Sequence, residues 1–288
     1  MKKFVLITVC VCILDTKITD ELRKLISEKH SVKKGNIIIC ATHTHSGPAT
    51  IDMPGWGGID MPYYEGIMKP VILKAVDEAF SEAQPVTMGV SVGKSDLGIN
   101  RRQLNIDNSV GLGQCDWAPY NPQMTVISFK NEKGEITGNI IHYGCHGTCA
   151  GLNKEVSRDW SGVMTDALEK ETGAITAFFN GPEGDVGPRL SNGQTTAELP
   201  YIYEVGGIGA KDAIRIFKSI DEYNDFSLSS VSGRVKLPYD KRISYEEAVE
   251  GCKKYSSEAI NFEKQMSVYF NNVKASYEKD FIEEEFDE

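Results

Sequence analysis

The chain alternates between short apolar runs and amphipathic segments along most of its length. Apolar runs at 4–14 and 36–42 flank residues 18–29, whose apolar positions recur at helical spacing. This order predicts a βαβ unit, in which a helical crossover connects two parallel strands. A loop rich in glycine and proline follows at 46–62.

The rest of the pattern continues the alternation of strands and helices. Helical periodicity covers 63–82, where Pro70 predicts a kink or a late helix start, and 124–144 predicts a β-hairpin. Further strands are predicted at 85–95, 174–180 and 228–238, an irregular polar segment at 96–122, and helices at about 159–171, 197–220 and 244–285. We therefore expect an α/β fold, a mixed β-sheet flanked by helices, with one domain at 1–240 and a helical C-terminal extension at 241–288.

Composition and charge narrow the classes of partner. The hydrophobic share of 41% and the charged share of 25% are ordinary for a globular domain. The net charge of −10 argues against nucleic acid and anionic membrane surfaces. The apolar start imitates a signal peptide but lacks a small-residue cleavage site, and it is too short to span a bilayer, so we interpret it as a strand. Seven cysteines without a regular framework favour a reducing compartment, and thus a cytoplasmic location over secretion.

Histidines follow two of the predicted strands. His43 and His45 leave the second strand in "THTHS", and residues i and i+2 of an extended strand point to the same side. They could converge on a cation or an anionic group, or the segment could be a hydrogen-bonded turn. His142 and His146 lie at the end of another strand-like run, in "IIHYGCHGTCAG".

Two cysteines accompany the second histidine pair. Cys145 and Cys149 raise the alternative of a structural Cys/His zinc site, but the chain has no C-x2-C spacing. We therefore favour a packing role for both cysteines. His146 lies between two small residues at a strand exit, which favours a functional role for its ring.

Two further polar clusters lie in loops. Asp185 sits in the glycine-rich turn "NGPEGDVGPR", beside Glu183 and Arg189, where the alternative is an ordinary Asx turn. In "GINRRQ" one of two arginines could aim its guanidinium into a cleft and bind a carboxylate or an oxyanion.

All four clusters could share one rim of the sheet, where sites gather in α/β folds. Imidazole and carboxylate ligands suit Zn²⁺, and zinc with an open position lowers the pKa of bound water to roughly 7. Such a centre indicates hydrolysis of an amide or ester. No G-x-S-x-G elbow, P-loop or dinucleotide fingerprint competes with it.

Five motifs, in this order, resemble those of the neutral/alkaline ceramidase family: "ATHTHSGP", "INRR", "YGCHGT", "SRDWSG" and "GPEGDVGPR". The resemblance covers about 1–240 and implies a zinc amidase that cleaves an N-acyl, lipid-like substrate such as ceramide. It implies that His43 and His146 bind Zn²⁺, that His45 positions substrate or shuttles a proton, and that Arg101 binds substrate or the oxyanion. Asp185 and His142 are further candidate site residues.

The sequence departs from the family pattern at three places. Gly187 stands where the family has a serine proposed to take part in catalysis. No segment matches the C-terminal region from which the family draws a Glu and a Tyr ligand, and the first strand starts at residue 4. We therefore expect a chain shortened at both ends, whose metal site a second chain or a missing C-terminal region completes.

Two functions of different class follow. The chain is either a zinc-dependent N-acyl amide hydrolase or a catalytically silent relative that binds a ligand in the same cleft. A metal-dependent phosphoesterase would need more carboxylates around the histidines. The hydrolase prediction requires the rings of His43 and His146 to meet, because rings beyond ~10 Å apart cannot share an ion whose bonds are ~2 Å long.

Overall fold

A computed structural model describes residues 2–231, 233, 235–238 and 241–279, together with the backbone of 285–287. The chain forms two compact units. The first comprises Met1–Pro48 and Met61–Leu228, and the second comprises Ala49–Asp60 and Ser229–Glu288. The chain passes between the units after residues 48, 60 and 228, and the boundary predicted after residue 240 falls within the second unit.

The helices and strands follow the predicted order with small shifts at their ends. The strands are β1 (Val5–Val9), β2 (Ile37–Ala41), β3 (Val86–Lys94), β4 (Gly98–Asn100), β5 (Arg102–Leu104), β6 (Val110–Leu112), β7 (Gln123–Asn131), β8 (Ile136–Tyr143), β9 (Thr176–Asn180), β10 (Val186–Pro188), β11 (Lys236–Pro238) and β12 (Glu285–Asp287). The helices are α1 (Thr16–His30), α2 (Met61–Tyr63), α3 (Lys69–Ser81), α4 (Asp159–Thr172), α5 (Tyr201–Lys218), α6 (Tyr245–Lys254) and α7 (Asn261–Glu278), with a 3₁₀ turn at Lys34–Asn36 and a π-helical turn at Tyr64–Met68.

The main sheet has four strands in the order β3-β7-β8-β9. β7 pairs antiparallel with both β3 and β8, and β9 pairs parallel with β8, so the sheet is mixed as predicted. The predicted hairpin at 124–144 is confirmed as β7 and β8. The parallel β8–β9 pair brings Tyr143 opposite Asn180, which places the segments after both strands at one edge of the sheet.

The predicted βαβ unit is also confirmed. β1 and β2 form a parallel pair, with Val5 opposite Ile37. The connecting helix α1 begins after Asp15, whose carboxylate accepts a hydrogen bond from the backbone of Lys17 at 2.8 Å and caps the helix. β1 ends at Val9, earlier than the predicted residue 14, because the chain bends there and Val11 donates to the carbonyl of Val9.

The core lies between the main sheet and helices α4 and α5. Trp160 on α4 is fully buried. Its ring packs in edge-to-face geometry against the rings of Tyr143 and Phe178, which belong to strands of the main sheet. Cys145 and Cys149 are free and fully buried in the same cluster, which supports the packing role assigned to them.

Proline explains the irregular start of the helix predicted at 63–82. Pro70 has no N–H to donate to the carbonyl of Gly66, and the π-helical turn ends at Met68, two residues before it. The backbone therefore widens for one turn before α3 continues to Ser81.

Short strands lie in segments that were predicted to be irregular. The 96–122 segment contains β4, β5 and β6, and β4 pairs with β10 in the loop after β9. In the second unit, the strand predicted at 228–238 is reduced to β11 among the residues that can be described. Within the part of the chain that the structure describes, no helix is both long and apolar enough to cross a bilayer.

Candidate metal centre

The backbone around His43 turns sharply after β2. His43 has φ 63°, in the left-handed region that few residues other than glycine adopt, and it donates its backbone N–H to the carbonyl of Val11 at 3.0 Å. A Cβ on Gly147 would lie 2.8 Å from the carbonyl oxygen of His43, so the two turns pack in direct contact. The predicted alternation of an extended strand is wrong at this point, because the left-handed turn orients the rings of His43 and His45.

The loop after β8 holds His146. Its backbone N–H donates to the carbonyl of Val186 at 3.1 Å, and its own carbonyl accepts from the indole of Trp160 at 2.9 Å. Asp159 supports the same loop by accepting from the backbone of Cys149 and Ala150. The backbone of His146 is therefore held between β10 and α4.

The histidine rings of the two segments lie close together, as the hydrolase prediction requires. The ring centroids of His43 and His146 are 4.6 Å apart, and that of His45 lies 4.9 Å from His43 and 5.7 Å from His146. The Nε2 atoms of His43 and His45 are 3.2 Å apart. The predicted meeting of imidazoles at one edge of the sheet is confirmed.

Backbone carbonyls fix the tautomers of two rings. The Nδ1 atom of His43 lies 2.8 Å from the carbonyl oxygen of Cys12, and that of His146 lies 2.8 Å from the carbonyl oxygen of Glu183. A carbonyl oxygen only accepts hydrogen bonds, so each Nδ1 carries the proton and each Nε2 presents a lone pair. This is the arrangement that metal-binding histidines adopt.

A carboxylate that was not predicted as a ligand joins the histidines. Glu183 Oε1 lies 3.3 Å from His43 Nδ1, the ring nitrogen that carries the proton, and Glu183 Oε2 accepts a hydrogen bond from the side chain of Asn180. Burial raises the pKa of the Glu183 carboxyl to about 7 against the opposing charge of Arg101. Glu183 and Asp185 lie in the same turn, and the sequence pattern does not show which of the two carboxylates points toward the histidines.

The histidines of the cluster are neutral at ordinary pH. Burial lowers the pKa of His43, lowers that of His45 to about 4 and lowers that of His146 to about 3; the charge of Arg101 adds to the shift in each. Neutral imidazole is the form that binds a metal ion.

Among the described residues, two groups of side chains could hold a metal ion: His43 with His146 and Glu183, and Cys12 with His43 and His45. In each group the ligand atoms lie within 4.8 Å of one another. Two imidazoles with a carboxylate form the donor set of open, catalytic zinc sites. The residues present therefore fit a zinc ion.

Arg101 borders this cluster. Its backbone N–H donates to the carbonyl of Asp185 at 2.8 Å, and its Nε donates to the carbonyl of Gly184 at 3.2 Å. Burial, followed by the charge of Arg102, lowers the pKa of its guanidinium. The half-buried side chain is thus fixed against the loop that carries Glu183.

Two predicted candidates lie outside both groups. The side chain of Asp185 is exposed, and its backbone carbonyl accepts from Arg101. His142 is exposed on β8 and aligns with Thr125 and Phe179 in the sheet. Neither contributes a ligand atom to the groups formed by the part of the chain that the structure describes.

Position 187 has no room for a side chain. Gly187 is buried in β10, and a Cβ there would lie 2.8 Å from the Cβ and 2.9 Å from the Cγ2 of Thr195. Real Cβ atoms essentially never approach so closely. A serine at this position would require Thr195 to move.

A mixed β-sheet flanked by helices, with imidazoles and a carboxylate gathered at one end of its strands, is an arrangement that could hold a metal ion. Residues 1–199 match the family model for neutral/alkaline non-lysosomal ceramidase, N-terminal. The chain belongs to this family, and the resemblance drawn from its motifs is confirmed.

Curated relatives cover the same region. The chain is 25% identical over 169 residues to neutral ceramidase of Pseudomonas aeruginosa, which spans 55% of this chain and 25% of that protein. It is 28% identical over 195 residues to neutral ceramidase A of Dictyostelium discoideum, which spans 61% of this chain and 27% of that protein. The aligned part thus spans about a quarter of the length of these relatives.

Solved structures share the fold. The crystal structure of neutral ceramidase from Pseudomonas aeruginosa matches 80% of this chain and 38% of its own with a TM-score of 0.61 and 19% identity. A ceramidase complexed with C2 matches 80% of this chain and 37% of its own with a TM-score of 0.62 and 21% identity. The predicted fold class is confirmed by this likeness.

Proposed function

We propose that this chain binds Zn²⁺ through His43, His146 and Glu183 and hydrolyses the amide bond of an N-acyl lipid such as ceramide. The observation that carries the proposal is the convergence of these three side chains, whose ligand atoms lie within 4.8 Å of one another. Family membership supports ceramide as the substrate class. The names of the curated relatives support it as well.

The bound zinc would supply Lewis acidity, which polarises an acyl carbonyl and makes water a stronger nucleophile. Around it, the residues of this chain bind the substrate and move protons. The exposed imidazole of His45, neutral at pH 7, can accept a proton from the attacking water and return it to the leaving amine. The guanidinium of Arg101 can stabilise the charge that develops on the carbonyl oxygen.

The buried position 187 adds one constraint. Because Gly187 offers no hydroxyl, the attacking group on this chain is water and not a residue of the β10 turn. Hydrolysis by this route requires no covalent acyl intermediate at that position.

Metal analysis of the purified chain tests the metal part of the proposal. Wild type should carry about one zinc per chain. His43→Ala should carry much less, because the two remaining ligands, His146 and Glu183, bind zinc only weakly. His142→Ala is the matched control, since this exposed histidine lies outside both donor groups. Equal zinc in wild type and His43→Ala would refute the metal centre.

An assay with a panel of N-acyl amides tests the reaction. We expect zinc-dependent release of fatty acid from ceramide or from a related N-acyl lipid, and loss of that release in His43→Ala. Release that persists unchanged after zinc is removed would contradict the proposed mechanism.

A second candidate function is a catalytically silent relative that binds a lipid-like ligand in the same cleft. Gly187 favours this candidate, because it lacks the hydroxyl of the serine that the family is proposed to use in catalysis. We also propose that a second chain, or a further segment of a longer protein, adds ligands to the centre. Ligand binding without turnover, measured with the same amide panel on zinc-loaded protein, would distinguish this candidate from the enzyme.

A further inference from the structure

A thiol faces the candidate metal centre from the segment after β1. The backbone carbonyl of Cys12 accepts the Nδ1 proton of His43, and its Sγ lies 3.9 Å from the same nitrogen. Cys12 is a free, half-buried cysteine, and it lines a cavity of about 420 Å³ together with His43, Asn180 and Glu183. Nothing in the proposed hydrolytic mechanism uses it.

The distances around this thiol suit metal coordination. Cys12, His43 and His45 each offer a ligand atom within 4.8 Å of the others. Around a tetrahedral zinc with bonds of about 2.0–2.3 Å, neighbouring ligand atoms lie roughly 3.3–3.7 Å apart. The Nε2 atoms of His43 and His45 are 3.2 Å apart. The Cys12 Sγ lies 3.9 Å from the other ring nitrogen of His43, Nδ1, so the thiol must turn toward Nε2 to share an ion bound there.

His43 is shared by both donor groups, so an ion bound to it lies close to the thiol in either case. The first group has two imidazoles and a carboxylate, and the second has two imidazoles and a sulfur. We infer that Cys12 is a further ligand of the same centre, which takes as a thiolate the position that His43, His146 and Glu183 leave open whenever water does not occupy it. This inference rests on the metal binding that the proposed function assumes.

Coordination replaces the S–H bond by a sulfur–metal bond, and the proton leaves to solvent. A thiolate is a soft donor, which selects zinc, cobalt or cadmium over magnesium, calcium and manganese. The centre is therefore specific for thiophilic divalent ions, a property that two imidazoles and a carboxylate alone do not confer.

Cobalt substitution tests the inference with a spectroscopic readout that does not depend on turnover. The metal-free protein is titrated with Co²⁺ alone, and absorption is recorded in the visible, where d–d bands report binding. A thiolate ligand adds a sulfur-to-cobalt charge-transfer band in the near ultraviolet. The variants are Cys12→Ser and, as matched control, Cys10→Ser, because Cys10 is an exposed free cysteine two residues earlier.

We expect wild type and Cys10→Ser to show both kinds of band. Cys12→Ser should keep the d–d bands, which shows that it still folds and binds cobalt, and should lose the charge-transfer band. Visible bands without any charge-transfer band in wild type, or with a charge-transfer band that survives Cys12→Ser, would overturn the role of Cys12 and leave the histidine centre standing. Absence of all bands in wild type would overturn the metal centre and the role of Cys12 together.

Discussion

Replacement of Asn180 by alanine removes a side chain that connects three segments at the metal centre. Its amide nitrogen donates to the carbonyls of Thr42 and Cys145, each at 3.1 Å, and to Glu183 Oε2. Its amide oxygen accepts from the backbone N–H of Cys145 at 3.1 Å. The side chain thus joins the segments that carry His43 and His146 and orients the carboxylate of Glu183.

The expected magnitudes follow from these contacts. Asn180 uses two donor hydrogens and one acceptor, and a net contribution of about 1 kcal/mol for each predicts a loss of about 2–4 kcal/mol in the free energy of unfolding. Zinc affinity should fall by about 10–100-fold, as is typical when a group that orients a metal ligand is removed.

Asn139 provides a matched control in the same sheet. It is buried, accepts from Ser128 at 2.8 Å and donates to Thr172 and Thr176 at 2.9 and 3.3 Å, and belongs to neither donor group. Asn139→Ala should therefore destabilise the fold by a similar amount and leave zinc affinity unchanged. Urea unfolding measures stability, and competition with a chromophoric chelator measures zinc affinity. Equal loss of zinc affinity in both variants would refute the positioning role of Asn180.

Three further predictions concern single positions. Gly187→Ser should lower the free energy of unfolding by about 1–3 kcal/mol through overpacking against Thr195, as measured by urea unfolding. The double variant Gly187→Ser/Thr195→Gly should recover part of the lost stability. Gly147→Ala should displace His43 and weaken zinc binding in the chelator assay, because its Cβ would lie 2.8 Å from the carbonyl oxygen of His43; unchanged affinity would contradict this packing. Arg101→Ala should keep its zinc by elemental analysis and lower kcat by about 10²–10³-fold; loss of zinc instead would make it a structural residue.

Much of the fold could be predicted because its strands and helices have distinct periodicities. The hairpin of β7 and β8 and the helix α4 lie within one or two residues of their predicted positions. The short strands β4 and β10 were missed because each has only three residues, too few for any periodicity to show. Their pairing depends on contacts between segments that are far apart in the sequence.

The sequence predicted that the rings of His43 and His146 would meet, but it did not predict that Glu183 would lie beside them. His43 and His146 follow apolar runs, and strand ends at one edge of a sheet are where such side chains meet. Glu183 lies in a turn with Asp185, and spacing alone does not distinguish which carboxylate points inward. In the structure Val186 pairs with Asn100, Asp185 is exposed, and Glu183 is half-buried beside His43.

The rings of His43 and His45 lie close together, but not because of strand alternation. Alternation along a strand was expected to align His43 with His45, but β2 ends at Ala41 and His43 adopts a left-handed conformation. That conformation is stabilised by tertiary contacts: the backbone N–H of His43 bonds to Val11, and that of His45 bonds to Gly147. Local sequence patterns do not contain these contacts.

Anomalous diffraction from zinc-loaded crystals of this chain tests the central claim most directly. We predict a single zinc peak at the edge of the sheet, about 2.0–2.1 Å from a ring nitrogen of His43 and of His146, with a carboxylate oxygen of Glu183 about 2.0–2.2 Å away. A peak elsewhere on the chain, or one bonded to only one of these two histidines, would contradict it.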